Sequence, residues 1–161
     1  MLGYVYGHDE MVAQFVASLI PHLHGRGLPQ ASKAFGVVDE QGHLIAGMVY
    51  HEYQPEAGTI EMSGAALPGR QWLSRETIRR MYTYPFNQLG CQMVIMRVRA
   101  DDLQLLRQLK ALNYSFTVLP RLLGRDKDAV VCLLTYEDWI ASKFQKRFKH
   151  YLVAQPTAEA A

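Results

Sequence analysis

Residues 59–98 read TIEMSGAALPGRQWLSRETIRRMYTYPFNQLGCQMVIMRV. Thr59–Leu67 has strand chemistry and ends at Pro68-Gly69, a pair that breaks strand and helix alike. Ser74–Leu89 then places Ile78, Met81, Tyr82, Phe86 and Leu89 at helical spacing. Pro85 should kink this helix, and Gly90 is a natural stop. Cys91–Val98 is an apolar run with the length of a buried strand. The order puts a helix N-terminus directly after a strand, where free backbone N–H groups and the helix dipole would hold an anionic group.

The flanks fit around this unit. Upstream, residues 1–6 read as a short strand. Asp9 caps an amphipathic helix with Met11, Val12, Phe15, Val16, Leu19 and Ile20 on one face, and Pro21 ends it. Residues 21–30 form a loop. Lys33–Asp39 and His43–Tyr53 flank the hairpin turn Glu40-Gln41-Gly42, and a second turn at Pro55–Gly58 leads to Thr59, making an antiparallel meander. Downstream, Asp101 or Asp102 caps a helix with Leu105, Leu106, Leu109 and Leu112 on its face. Tyr114–Leu122 and Ala129–Thr135 are strands joined by Gly124–Asp128. A last helix starts near Thr135 and carries Ile140, Phe144 and Phe148. The layout is α+β with a mixed sheet.

The chain has 161 residues, 49% of them hydrophobic, and 17 Lys+Arg against 15 Asp+Glu. This suits one domain over residues 1–153 and a disordered tail over 154–161. The near balance of charge names no nucleic-acid or membrane partner. Lys143, Lys146, Arg147, Lys149 and His150 on the last helix read as a solvated face, so nucleic acid is not expected. Cys91 and Cys132 form no C-x-x-C, which disfavours zinc and redox motifs and fits a reducing cytoplasm. His8, His22 and His24 lack partners at ligand spacing, so no metal is expected. No apolar run is long enough to span a bilayer.

Three stretches carry a family likeness. Tyr84-Pro85-Phe86-Asn87-Gln88-Leu89-Gly90-Cys91 resembles a Y-x-F-x-x-L-G segment. Asp102–Tyr114 is similar to N-x-x-S-x-x-L-x-x-L-G-F, with Leu105 in place of the Ser and Leu112-Asn113-Tyr114 in place of L-G-F. Gly124–Ala129 sits where a polar hairpin tip precedes the final strand. With the element order, residues 33–140 resemble the GNAT N-acetyltransferase superfamily, nearest to its ribosomal-protein N-terminal acetyltransferase branch. The resemblance implies a GNAT-like α+β domain with a central, mostly antiparallel mixed sheet flanked by helices. It implies a cytoplasmic enzyme that transfers acetyl from acetyl-coenzyme A (acetyl-CoA) to an amine acceptor, with no metal; the alternative is a non-catalytic GNAT-like module that binds acyl-coenzyme A or a protein or nucleic-acid partner. Relatives often dimerise, which makes a homodimer an expectation.

The same resemblance assigns residues. The pantetheine arm of coenzyme A would lie along Gly64, Ala65, Ala66 and Leu67. The other reading of the small run Ser63–Ala66 is a tightly packed or bulged strand. The family's Q/R-x-x-G-x-G/A phosphate motif has no clean copy. Arg70 and Trp72 stand where its glycines belong, and Gly69 remains nearby. Trp72-Leu73-Ser74 is similar to a W-x-T/S variant, so the pyrophosphate would meet the N–H groups of Arg70, Gln71, Trp72, Leu73 and Ser74. Arg70 and Arg75 would contact the phosphates, and Arg107 the adenosine end. Asp102 stands for the family's Asn near the cofactor.

Glu61 shares strand parity with Ser63 and Ala65, so the three face one side. It is the candidate general base; the other reading is an exposed strand glutamate. His51 and Glu52, adjacent on the previous strand, should face opposite sides, so that only one enters a cleft. Tyr114 is the candidate general acid; the other reading is a packed core residue.

Overall fold

The computed structural model describes residues 1–23, 25–30 and 32–143. His24, the apolar positions Phe144 and Phe148, the basic positions beyond Lys143 and the tail 154–161 lie outside these. In chain order the elements are β1 (Gly3–Tyr6), α1 (Asp9–Leu19), β2 (Lys33–Val38), β3 (Leu44–Gln54), β4 (Thr59–Ala66), α2 (Arg75–Tyr82), β5 (Met93–Arg99), α3 (Leu103–Ala111), β6 (Ser115–Gly124), β7 (Lys127–Thr135) and α4 (Tyr136–Ala141). The strands form one sheet in the order β1-β2-β3-β4-β5-β7-β6. Every pairing is antiparallel except β4 with β5. The expected α+β, mostly antiparallel mixed sheet is what forms.

One face of the sheet is flattened to receive α1. Gly36 and Gly47 are register partners on β2 and β3. A Cβ at Gly47 would meet Val12 Cγ1 at 2.7 Å and Val16 Cγ2 at 2.9 Å. α1 thus buries Val12, Ala13, Val16 and Ala17, packing against Ala34 and Val49. The expected face is rotated: Met11 is exposed. Asp9 is also not the cap. His8 holds that position, and the Asp9 carboxylate instead accepts from the Ala34 N–H at 2.9 Å. This ties the start of α1 to β2.

The main core joins Met48, Tyr50, Ile60, Met62 and Val94 with Met81 and Tyr82 of α2, Leu109 of α3 and Trp139 of α4. Pro85 ends α2 earlier than the periodicity suggests. Having no N–H, it cannot donate to the Met81 carbonyl, which instead accepts from Tyr50 Oη at 2.5 Å. The chain continues as a π-helical turn, Thr83–Gln88, closed by Leu89 N–H to Tyr84 O at 3.0 Å. Strand β5 then begins at Met93 rather than Cys91. Asp102 caps α3 through the Leu105 N–H. Asn113, in the place of a glycine, takes the left-handed φ of 79° that ends a helix, which asparagine tolerates better than most residues. Its side chain donates to Asp138 O. β6 and β7 run further than expected: Gly124 pairs with Lys127, and the hairpin tip shrinks to Arg125-Asp126. Among the described residues no helix is long and apolar enough to cross a membrane.

Candidate active site

β4 pairs with β5 at only three positions: Thr59 with Met93, Ile60 with Val94, and Glu61 with Ile95. β5 stays paired with β7 from Met93 to Arg99, while β4 continues against β3 to Ala66. The two strands therefore separate beyond Glu61. The β5-facing edge of β4 from Met62 to Ala66 has no strand partner, and backbone groups in that position call for a ligand or water. The gap opens into a cleft of about 1490 Å³, larger than the ~300–1,000 Å³ that holds a drug-sized molecule. Its walls are the inner ends of β4 and β5, the loop 70–74, the start of α3, the loop after α1, and Leu122-Leu123 of β6.

Polar side chains gather where the strands part. His51 on β3 lies directly across from Glu61 on β4. Both are buried. His51 Nε2 is 2.8 Å from Ser63 Oγ, while His51 Nδ1 is buried with no hydrogen-bond partner. On the other side, Arg97 Nε of β5 lies 3.1 Å from Glu61 Oε1. Burial pushes the Glu61 carboxyl above its ordinary value; Arg97 opposes the rise and Glu52 adds to it. Burial likewise pushes the His51 imidazole down, against the pull of Glu52. A buried carboxylate with a raised pKa is suited to take a proton from an ammonium group near neutral pH.

The expectation that only one of His51 and Glu52 enters a cleft is corrected. The β3–β4 register shifts between His51 and Gln54, and Glu52 adopts φ 52°, so both line the opening. A left-handed, non-glycine residue costs about 1–3 kcal/mol, and such strain concentrates at functional places.

Gly64, Ala65 and Ala66 line the cleft. Gly64 also serves packing: a Cβ there would meet Met48 Cε at 2.5 Å. Leu67 leads out of β4, its N–H donating to Ile45 O, and Gly69 turns the loop at φ 75°. Gln71, Trp72, Leu73 and Ser74 line the cleft, and Trp72 and Leu73 pack on the core. Ser74 Oγ accepts from the Thr77 N–H at 3.1 Å as the cap of α2. Asp102 is at the wall, its carboxylate engaged at the start of α3. Arg70 is also at the wall, but Nη2 donates to Asp39 Oδ2 at 3.1 Å.

Three assigned side chains are not brought to this place. Arg75 and Arg107 are exposed outside the cleft wall, and Arg107 Nε reaches back to Leu103 O. Tyr114 is buried in the core, its Oη 2.7 Å from Tyr82 Oη. Burial pushes its hydroxyl well above the ordinary tyrosine value. The packed-core reading describes it, and a general-acid role does not.

Sequence reasoning missed Ser63 as a partner of His51, and also Arg97 and Arg99. The arginines had a signal. They stand at alternate positions in the otherwise apolar run MVIMRVR, which gives one polar face on a buried strand. Arg99 closes a bidentate pair with Asp101 at 2.9 and 2.8 Å. Among the described residues no three His, Cys, Asp or Glu side chains cluster to hold a metal ion.

No protein-family model matches the sequence, and no curated protein matches it. Solved structures do match in shape. A mutant form of the spermidine/spermine N-acetyltransferase SpeG from Vibrio cholerae is 16% identical, with a TM-score of 0.69, over 88% of this chain and 98% of that one. SpeG in a dodecameric intermediate state gives 16% identity and a TM-score of 0.66, over 87% and 95%. A protein from T. thermophilus assigned as an acetyltransferase is 18% identical, with a TM-score of 0.62, over 77% and 68%. The chain has the fold of GNAT acetyltransferases, and likeness at these identities concerns the fold.

Proposed function

We propose that the chain is an N-acetyltransferase that binds acetyl-CoA in the β4–β5 cleft and passes the acetyl group to a primary amine by direct attack in a ternary complex. The observation that carries this reading is the position of Glu61: a buried carboxylate with a raised pKa, at the point where β4 leaves β5. The residues fit the cofactor. The unpaired edge through Gly64, Ala65 and Ala66 would hold the pantetheine arm, while the backbone of Leu67, the last residue assigned to that segment, is engaged with Ile45 and Arg70. The backbone of residues 70–74, with Gly69 at the turn, would hold the pyrophosphate at the start of α2. When bound, acetyl-CoA supplies an activated acyl group. Glu61 would hold the incoming ammonium and take its proton, and much of the remaining effect would come from positioning. The segments Tyr84–Cys91 and Trp72-Leu73-Ser74 support the ribosomal-protein N-terminal acetyltransferase branch. Spermidine, the substrate named for SpeG, is the first small amine to try as acceptor. The buried free thiols Cys91 and Cys132 fit a reducing cytoplasm.

A second reading, a non-catalytic module with the same fold, has its own observation. Arg70, Ser74 and Asp102 are all engaged within the protein, so the phosphate loop offers backbone more than side chains. The homodimer expectation has a candidate surface in edge strand β6, where Phe116, Val118, Leu119 and Leu122 are exposed; sedimentation would test it. Calorimetric titration with acetyl-CoA, with ATP as control, decides the function. Micromolar binding of acetyl-CoA alone, followed by acetyl transfer to an amine, supports the enzyme. Binding without transfer to any amine in a broad screen supports the module, and no binding at millimolar ligand removes the cofactor from both.

A further inference from the structure

His51 is a buried histidine whose hydrogen bonds do not close. Its ring has two nitrogens, and only Nε2 finds a partner, Ser63 Oγ at 2.8 Å. Nδ1 is buried without one. A neutral imidazole carries its proton on one nitrogen only. If that were Nδ1, a buried N–H would be left with no acceptor, which is rarer and more costly than a bare acceptor. The proton therefore belongs on Nε2, which donates to Ser63 Oγ. Ser63 then has no use for its own hydrogen on His51. Ser63 lines the cleft, so its O–H is left free to donate to a group bound there.

The groups that face His51 are Glu61 across the strand pair and Glu52 beside it, with Arg97 beyond Glu61. The loop after α1 adds His22 and Arg26 to the same wall. Ser63 stands two residues after Glu61 on the same face of β4 and directly before the Gly64–Ala66 segment. On the reading proposed above, Glu61 meets the amine and that segment holds the arm. The reacting carbonyl then lies between them, beside Ser63.

We propose that Ser63 is a hydrogen-bond donor to the acyl carbonyl in this cleft, and that His51 is the positioning residue that holds the hydroxyl in that role. No proton leaves Ser63 or His51. The O–H polarises the carbonyl and meets the negative charge that grows on its oxygen. This inference rests on acetyl-CoA binding in the cleft.

Two spectroscopic readouts test it. The first is the nitrogen NMR spectrum of the ligand-free protein, with His51 identified by the signals lost in His51→Gln. A protonated Nε2 and a bare Nδ1 are expected; the opposite tautomer overturns the proposal. The second is the infrared carbonyl stretch of acetyl-CoA bound with a labelled carbonyl carbon. Bound to the unaltered protein, it should lie below its frequency in solution. Ser63→Ala should still bind acetyl-CoA but lose part of that downshift, and Ser63→Thr, which keeps the hydroxyl, should retain it. The same stretch in Ser63→Ala and in the unaltered protein would overturn the proposal and leave the acetyltransferase reading standing. Failure of the unaltered protein to bind acetyl-CoA would overturn both.

Discussion

The molecule buries two polar clusters and settles them differently. In the core, Tyr82 and Tyr114 share a 2.7 Å hydrogen bond, and the Tyr82 ring packs against Trp139 with centroids 4.5 Å apart. At the parting of β4 and β5, His51, Ser63, Glu61 and Arg97 meet, and there the hydrogen bonds do not close: His51 Nδ1 has no partner. A closed buried bond contributes about 1 kcal/mol, while an orphaned polar group costs about 1–3 kcal/mol. The first cluster holds the fold together. The second loads the fold with groups whose ordinary protonation burial opposes, an arrangement that marks sites of chemistry.

The sharpest way to break this contrast is Glu61→Gln. If Glu61 is the base, kcat should fall at least ~10²-fold while acetyl-CoA affinity holds. The activity of the unaltered protein should also fall as pH drops through the raised pKa of Glu61, because only the carboxylate accepts a proton. Stability should move the other way. A carboxyl whose folded pKa is raised binds more protons folded than unfolded, so ionisation opposes folding above that pKa. Glu61→Gln should therefore be the more stable protein at neutral pH, and the gain should vanish below the ordinary glutamate range. Retained turnover removes Glu61 from the mechanism; a stability loss at neutral pH would show that the Arg97 contact outweighs burial.

Tyr114→Phe probes the closed cluster. It should leave kcat unchanged and lower stability by about 1–3 kcal/mol, since Tyr82 Oη loses its partner in the core. Denaturant unfolding and a steady-state assay together decide it. A selective loss of kcat with full stability would restore Tyr114 as an acid and erase the contrast.

His51→Gln adds a smaller, pH-bounded effect. A histidine whose folded pKa is lowered binds fewer protons folded than unfolded, so the unaltered protein should lose stability as pH falls from the ordinary histidine range through the lowered pKa. In the variant this slope should flatten. An unchanged slope across that window would mean that burial does not hold His51 neutral.

How much of this was legible follows the same line. The meander, the crossover from β4 through α2 to β5 and the final hairpin are written in spacing and breakers: Pro68-Gly69, Gly90, the alternation around Glu61. Asn113 at a left-handed helix end could be read because few other residues tolerate it. The rotation of α1 could not, because Gly36 and Gly47 reveal their purpose only when Val12 and Val16 sit on them. Nor could the early end of α2, since the partner that compensates Pro85 is Tyr50, 35 positions away in the chain. At the site, parity placed Glu61 correctly on the face of Ser63. Tyr114 had two readings, acid and packed core, and residue type could not choose between them; the hydrogen bond that places it in the core depends on Tyr82.

Arg70 belongs to neither cluster and sharpens the contrast from outside. Its guanidinium is half exposed and meets Asp39, whose carboxyl is held below its ordinary value first by the His43 backbone N–H and less by Arg70 itself. With its arginine half exposed, the pair is partly screened and contributes little to stability. Arg70→Ala should therefore leave thermal unfolding where it was. If Asp39 keeps the guanidinium from the pyrophosphate, acetyl-CoA affinity should also stay nearly unchanged, because the backbone of residues 70–74 does the holding. A loss of about tenfold or more would mean that the arginine leaves Asp39 when the ligand arrives. The salt dependence of the titration separates the two cases. A side-chain cation on a phosphate weakens steeply with ionic strength, whereas backbone N–H groups at a helix start respond less.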